Sequence, residues 1–352
     1  MNLATVEKII SISPINGAEK IELAQVLGYS VIVEKGRFKV DDLCVWHNPD
    51  TVVDSTNPAY QMLAKYKYRL KVIKMLGTVS QGLALPLDIL SIPEEMRQEG
   101  TDVTQVVKLT KYEKTDPFFH AKFDGLKAWP GFLRKTDEPN LRTHPKVIAE
   151  LQEQEECFIT LKMDGTSVTV FHKDGKFGIC SRNFELDLDA PSLPHSSEMK
   201  RMLEKYDLES RLKKLGKNLA IQGELCGPKI NAKKKNIVKD IAWTAFSVWN
   251  IDTQRYVGYS DMIDVINQLN AIEGSSDKPV EAIPTVPLLR RCSLKDTSLQ
   301  DLIQLANGVE YAPGVPGEGI VIRPVKETQS QRLRGRLSVK VISEKYCLLH
   351  GE

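Results

Sequence analysis

The chain has 352 residues, enough for two ordinary domains, and its 48 Lys plus Arg nearly cancel its 46 Asp plus Glu. That balance excludes a strongly basic polyanion binder, so any nucleic-acid surface must be local. Six cysteines (Cys44, Cys157, Cys180, Cys226, Cys292, Cys347) without a CxxC pair, a start MNLATVEKII without a signal core, and no apolar run near the roughly 20 residues of a membrane span together indicate a soluble, intracellular protein with reduced thiols.

From residue 3 to about 107 short alternating or apolar runs, such as Lys20 to Val26, Ser30 to Val33 and Leu43 to His47, are punctuated by Gly, Pro and Asn, the pattern of a small β-barrel. Lys67 to Lys74 alternates cationic and apolar residues; as a strand it puts its charges on one face, which suits phosphates and equally suits a guarded edge strand. Thr110 to Thr143 has no sustained period and reads as a linker, so the expected division is 1–110, a linker 111–143, and 144–352. Helical spacing follows from Pro145 to about Gln154, and again at Ser197 to Leu215, Ser260 to Ile272 and Leu299 to Asn307, among strands that begin at Cys157. The second domain is therefore mixed α and β.

The chemistry centres on Phe158 to Val170, where two apolar strand-like runs flank Lys162-Met163-Asp164-Gly165. In an extended chain Lys162 and Asp164 share a face, where a carboxylate or a metal that it recruits can act on the amine. Alone the tetrapeptide is an ordinary hairpin turn. In order after it come Ser181-Arg182-Asn183, Leu219 to Glu224, Trp243 to Trp249, Glu318 to Arg323 and Leu337 to Ser343, each setting a charged or aromatic residue beside an apolar strand. Taken singly, Phe246 also reads as a core aromatic, Glu224 and Glu318 as solvated strand ends, and Arg323 as half of a surface ion pair.

This ordered set resembles motifs I, Ia, III, IIIa, IV and V of the covalent nucleotidyltransferases, the superfamily of DNA ligases, RNA ligases and capping enzymes. The resemblance implies that Lys162 takes AMP from ATP as a phosphoramidate and releases pyrophosphate. A lysine with a free pKa of about 10.4 must be deprotonated to attack, which nearby positive charge promotes. The resemblance gives Asp164, Glu224 and Glu318 to a hydrated Mg²⁺ or Mn²⁺, Lys340 to the ATP phosphates, Arg182 to the ribose or an incoming phosphate, and Phe246 to stacking on adenine. Two departures stand out: Ser338 occupies the first lysine position of motif V, with Arg336 as a stand-in, and Leu161 replaces a glutamate that reads adenine in some RNA ligases. Base choice then falls to the backbone or Thr160.

The sequence stops at Glu352, soon after Lys340, leaving no room for the OB domain that follows motif V in DNA ligases and capping enzymes. Instead Ser13 to Glu22, Gly28-Tyr29 and Lys35 to Phe38 are similar to the N-terminal OB module of the Naegleria-type RNA ligase family. The expected architecture is α+β: an N-terminal OB-like β-barrel, then a mixed α/β adenylyltransferase (ATP-grasp-like ligase) domain on antiparallel sheets. The implied activity is ATP-dependent sealing of 3′-OH and 5′-phosphate RNA ends, nicks in duplexes above all, by a monomer. The alternatives are a DNA ligase, a GTP-using capping-type enzyme and a non-catalytic RNA-binding protein.

Overall fold

In the computed structural model, which describes residues 2–112, 124–190, 193–230, 238–274 and 279–351, the alternating N-terminal runs form strands. Ala4–Pro14 (β1), Ile21–Val26 (β2), Tyr29–Glu34 (β3), Leu43–His47 (β4) and Leu83–Pro86 (β5) make one sheet in the order β3-β2-β1-β4-β5. β1 serves two partners: Ala4 to Lys8 pair with β4, Ile9 to Pro14 with β2, and the register slips between Ile9 and Ser11. A bulge there adds local twist, which curls a short sheet toward a barrel. One apolar cluster gathers around Ile9, Val31 and Trp46, and a second around Val45, Tyr60 and Leu85.

The cationic run Lys67 to Lys74 is not a single strand. Lys67 and Tyr68 take left-handed backbone, with φ of 55° and 60°, closing the 3-10 turn Pro58–Tyr66; Arg69 makes a lone antiparallel bridge to Val52, and a strand forms at Ile73–Met75. Arg69 pairs with Asp50 at 2.8 Å and stacks on Tyr112, so local ion pairing took precedence over alternation.

Two compact units divide the chain. The first comprises Met1–Lys114, Asn140–Lys146 and Ile342–Glu352; the second comprises Thr115–Pro139 and Val147–Val341. In the first unit the helix Glu344–His350 is held by Arg142, which reaches Glu344 at 2.9 Å and the Gly28 carbonyl at 2.8 Å. Of the stretch expected to be a linker, residues 124–143 are packed: Leu126–Ala128 is an edge strand of the second unit, and 134–139 lie against its site.

The second unit carries two antiparallel sheets. Leu126–Ala128 (β6), Thr166–Lys173 (β8), Lys176–Cys180 (β9), Phe184–Leu186 (β10), Leu219–Cys226 (β11), Ala242–Asn250 (β12) and Arg255–Tyr256 (β13) form a seven-stranded sheet, in the order β6-β10-β9-β8-β11-β12-β13. Cys157–Lys162 (β7), Leu288–Cys292 (β14), Gly319–Pro324 (β15) and Val339–Ile342 (β16) form a four-stranded one, in the order β14-β7-β15-β16. One face of the larger sheet packs on helices through Val168, Val170, Ile221, Leu225, Trp243 and Met202. Strand alternation then turns Ser167, Gln222 and Glu224 to the opposite face. The helix expected over Ser197 to Leu215 is two, Ser196–Tyr206 and Leu208–Leu215, because Asp207 adopts a left-handed conformation between them. Tyr259–Ala271 and Leu299–Gly308 match the expected periodicity, the latter opened by a Ser298/Asp301 capping box. Among the described residues no helix is long and apolar enough to cross a membrane.

Candidate active site

Lys162 ends β7, where Leu161 faces the core and Thr160 and Lys162 share the opposite face. Its ammonium donates to Glu318 at 2.7 Å, across the rung that pairs Lys162 with Gly319. The turn after it needs a glycine. A Cβ on Gly165 would meet the Leu225 carbonyl at 2.2 Å, and the Gly165 N–H donates to Glu224 at 2.9 Å, so β7, the turn and β11 close on one another. Tyr311 clamps the same corner by donating to the Lys162 carbonyl at 2.8 Å and accepting from the Glu318 N–H at 3.1 Å. Nothing in the chain order singles out Tyr311; its position follows from the pairing of β7 with β15.

Phe246 reaches the pocket through a defect in the ladder. Gln222 pairs with Ser247 and Gly223 with Ala245, which leaves Phe246 as the bulged residue of β12. A bulge re-aims a side chain and frees its carbonyl. That carbonyl accepts from Arg323 at 2.6 Å. Phe246 lines a pocket together with Thr136, Glu138, Thr160, Lys162 and Glu224, with Leu161 and Val321 also in its wall.

Arg323 is not on the surface. It is 3% exposed and spends its three nitrogens on Ser338 (2.8 Å), the Phe246 carbonyl and Glu138 (2.8 Å), tying β12, β15 and residues 138 and 338 together. Ser338 therefore serves Arg323, and Arg336 is directed to Glu327 and Ser247, each at 2.9 Å. Both side chains are engaged by protein partners. Arg182, expected near the nucleotide, is half exposed and pairs with Asp137 at 2.7 Å, outside the pocket lining. Lys340 lies within electrostatic reach of Lys162 and Glu318, while its N–H donates to the Pro139 carbonyl at 2.9 Å.

Burial opposes the charge on Lys162, yet Glu318, Glu224 and Asp164 outweigh it and hold the ammonium above its ordinary pKa. The depression expected from the sequence needs added positive charge beside the amine, which a bound divalent cation supplies. Burial pushes the Glu224 carboxyl up to about 7 and raises Glu318 as well, whereas burial and the Lys162 charge lower Lys340.

The three acids do not converge into a ready cage. Among the described residues no group of three His, Cys, Asp or Glu side chains is set to hold a metal ion directly; Glu318 accepts from Lys162 and Glu224 from the Gly165 N–H. Hard oxygen donors with surplus negative charge do fit a Mg²⁺ or Mn²⁺ ion that keeps much of its water. A larger basic cleft of about 1660 Å³, lined in part by Arg134, Lys135, Arg255 and Arg334, adjoins the pocket and shares Thr136, Glu138 and Phe246 with it.

Two antiparallel sheets that hold a lysine, neighbouring carboxylates and an aromatic wall around one pocket define a nucleotidyltransferase fold. Comparison with known proteins agrees. The RNA ligase family model matches residues 155–342, and an OB-fold domain model matches residues 3–87. The chain belongs to the RNA ligase family and is an enzyme of that class, with an OB fold at its N-terminal end. The Naegleria gruberi RNA ligase with PPi is similar at TM-score 0.81 and 29% identity, covering 98% of both chains. A point mutant of that ligase with ATP and Mn gives 0.83 at 28%, again 98% of both, and another with AMP and Mn gives 0.82 at 29%, covering 99% of this chain and 98% of that one. Comparison with curated proteins returned no match.

Proposed function

We propose that this chain is an ATP-dependent RNA ligase that loads AMP onto Lys162 and seals 3′-OH to 5′-phosphate ends, chiefly nicks in duplex RNA. The observation that carries the reading is Lys162 lining one pocket with Phe246, its amine 2.7 Å from Glu318 and beside Glu224. Family membership and the ATP, AMP, Mn and PPi complexes of the similar Naegleria ligase support it.

Lys162 gives up its proton, for which Glu318 is the nearest acceptor, and its nitrogen attacks the α-phosphorus of ATP; pyrophosphate leaves and a lysyl-AMP remains. A 5′-phosphate oxygen of RNA then displaces the lysine to give an RNA-adenylate. Finally the 3′-hydroxyl attacks the 5′-phosphorus, a phosphodiester forms and AMP departs. Phe246 stacks on the base, Thr160 and Leu161 border it, Lys340 holds the ATP phosphates, Arg182 reaches the ribose or the phosphate of an incoming end, and the residues that would hold a divalent cation, largely through water, are Asp164, Glu224 and Glu318. Such an ion supplies positive charge that lowers the lysine pKa and offsets phosphate charge. The basic cleft beside the pocket has the charge for an RNA strand, while the OB unit, residues 1–110 in the sequence division, grips the flanking duplex. The enzyme acts as a soluble intracellular monomer.

The test is to incubate the protein with α-labelled ATP and Mg²⁺ or Mn²⁺, map the adduct by peptide mass, and offer nicked RNA, DNA and hybrid duplexes. An AMP adduct on Lys162 and sealing of nicked RNA are expected. Absence of the adduct from folded protein overturns the reading; a GMP adduct or exclusive sealing of DNA replaces it with the corresponding alternative.

A further inference from the structure

Residues 134–139 cross from one sheet to the other over the pocket. Gln222 donates to the Arg134 carbonyl at 2.7 Å, and the Thr136 and Ser167 hydroxyls lie 2.9 Å apart, which anchors one end on the larger sheet. Arg323 holds Glu138, and Lys340 holds the Pro139 carbonyl, which anchors the other end on the smaller sheet. Thr136 and Glu138 line the same pocket as Lys162 and Phe246.

The register of β7 on β15 fixes which end of a nucleotide meets this crossing. Moving away from the amine, Lys162 lies opposite Gly319, Thr160 opposite Val321, and Phe158 opposite Arg323. A nucleotide with its phosphorus at Lys162 and its ring against Phe246 therefore points its base toward Thr160, Arg323 and Glu138. Arg323 directs an N–H from each of its three nitrogens to Ser338, the Phe246 carbonyl and Glu138, and a guanidinium only donates, so it cannot accept from an amino group. Burial opposes the charge of Glu138, but Arg323, Arg336 and the Ser338 hydroxyl outweigh it and keep the carboxyl ionised. An ionised carboxylate only accepts, and with about four lone-pair sites it has capacity left beyond Arg323 and Ser338.

We propose that Glu138 is the base-reading residue of this ligase, accepting a hydrogen bond from the 6-amino group of adenine and turning away guanine, whose O6 is an acceptor. It takes over a task for which the position before the nucleophile, Leu161, has no polar group. The inference rests on the reading of the chain as an ATP-dependent ligase. A buried acceptor that loses its donor is penalised, which is the ordinary basis of strong discrimination.

The experiment uses the full chain in metal-free buffer, with binding of ATP, GTP and purine riboside triphosphate measured by calorimetry, and adduct formation measured separately with metal. The wild type is expected to bind purine riboside triphosphate about tenfold more weakly than ATP, the loss of one charge-assisted hydrogen bond. Glu138→Gln, whose amide can donate to O6, is expected to narrow the ATP-to-GTP affinity ratio by about tenfold, a change that a merely structural role does not produce. An unchanged ratio in folded Glu138→Gln overturns the proposal. Should that variant fail to fold, the wild-type series decides, and equal binding of ATP and purine riboside triphosphate overturns it. If the wild type binds ATP but ignores these changes, only the base-reading inference fails; if it binds no nucleotide, the ligase reading fails first.

Discussion

At Lys162 two demands conflict: burial favours the neutral amine, while three carboxylates favour the ammonium, and in this arrangement the carboxylates prevail. Lys162→Ala is expected to abolish the AMP adduct, read by label transfer, while the protein stays folded by circular dichroism; a persisting adduct places the nucleophile elsewhere. Glu224 is a half-buried acid whose carboxyl is pushed up to about 7 by desolvation first and by the charges of Glu318 and Asp164 beside it. Glu224→Gln keeps an acceptor for the Gly165 N–H and removes a like charge, so in metal-free buffer its unfolding midpoint is expected to rise by a few degrees, while adduct formation collapses. A lower midpoint shows that its charge, not its shape, supports the fold.

The bulge of β12 and Arg323 act as one element. Arg323 takes the carbonyl that the bulge releases and neutralises Glu138, so Arg323→Met leaves a buried carboxylate and a freed carbonyl without their partner. Loss of about 3–5 kcal/mol in denaturant unfolding is expected, with Arg323→Lys intermediate because an ammonium cannot make the three directed bonds. A loss below about 1 kcal/mol refutes this account of the buried pair. In the N-terminal sheet His47 is fully buried: its Nδ1 faces the Val45 and Leu83 carbonyls, at 3.1 and 3.2 Å, and its Nε2 faces the Tyr60 hydroxyl at 2.8 Å. Burial lowers its pKa to about 4, against about 6.5 for an unfolded histidine. Between those values the unfolded chain takes the proton and the folded one does not. Stability is therefore complete above about pH 6.5 and is lost as pH falls toward 4, by roughly 3 kcal/mol in full. Melts from pH 7.5 to 4.5 should show a shallower decline in His47→Gln than in the wild type; parallel curves exclude this source.

On the scale of the whole molecule, the chain enters the second unit twice, so a clean truncation is not a simple N-terminal deletion. The helix Glu344–His350 buries Tyr346 and Cys347 within the first unit. A fragment spanning residues 124–341 is thus expected to be more soluble than one spanning 124–352, which would expose that helix. We expect the shorter fragment to keep some self-adenylylation and to lose most sealing of nicked RNA, as measured by product on a denaturing gel. Sealing equal to that of the full chain removes the OB unit from substrate binding.

Much of this was legible in the linear chain. Alternation located β2, β3 and β4, three-and-four spacing located the helices at Tyr259 and Leu299, and the order of motifs around Lys162, Glu224 and Glu318 pointed to the family that the comparisons identify. Those signals are local, or depend only on the order of residues along the chain. The bulge that aims Phe246, the burial of Arg323, the partners of Ser338 and Arg336, and the place of Glu138 in the pocket of Lys162 and Phe246 depend on which strands pair and in what register. A segment without period, such as 134–139, carries no sign of its role, because its hydrogen bonds go to partners that only the folded sheets bring within reach.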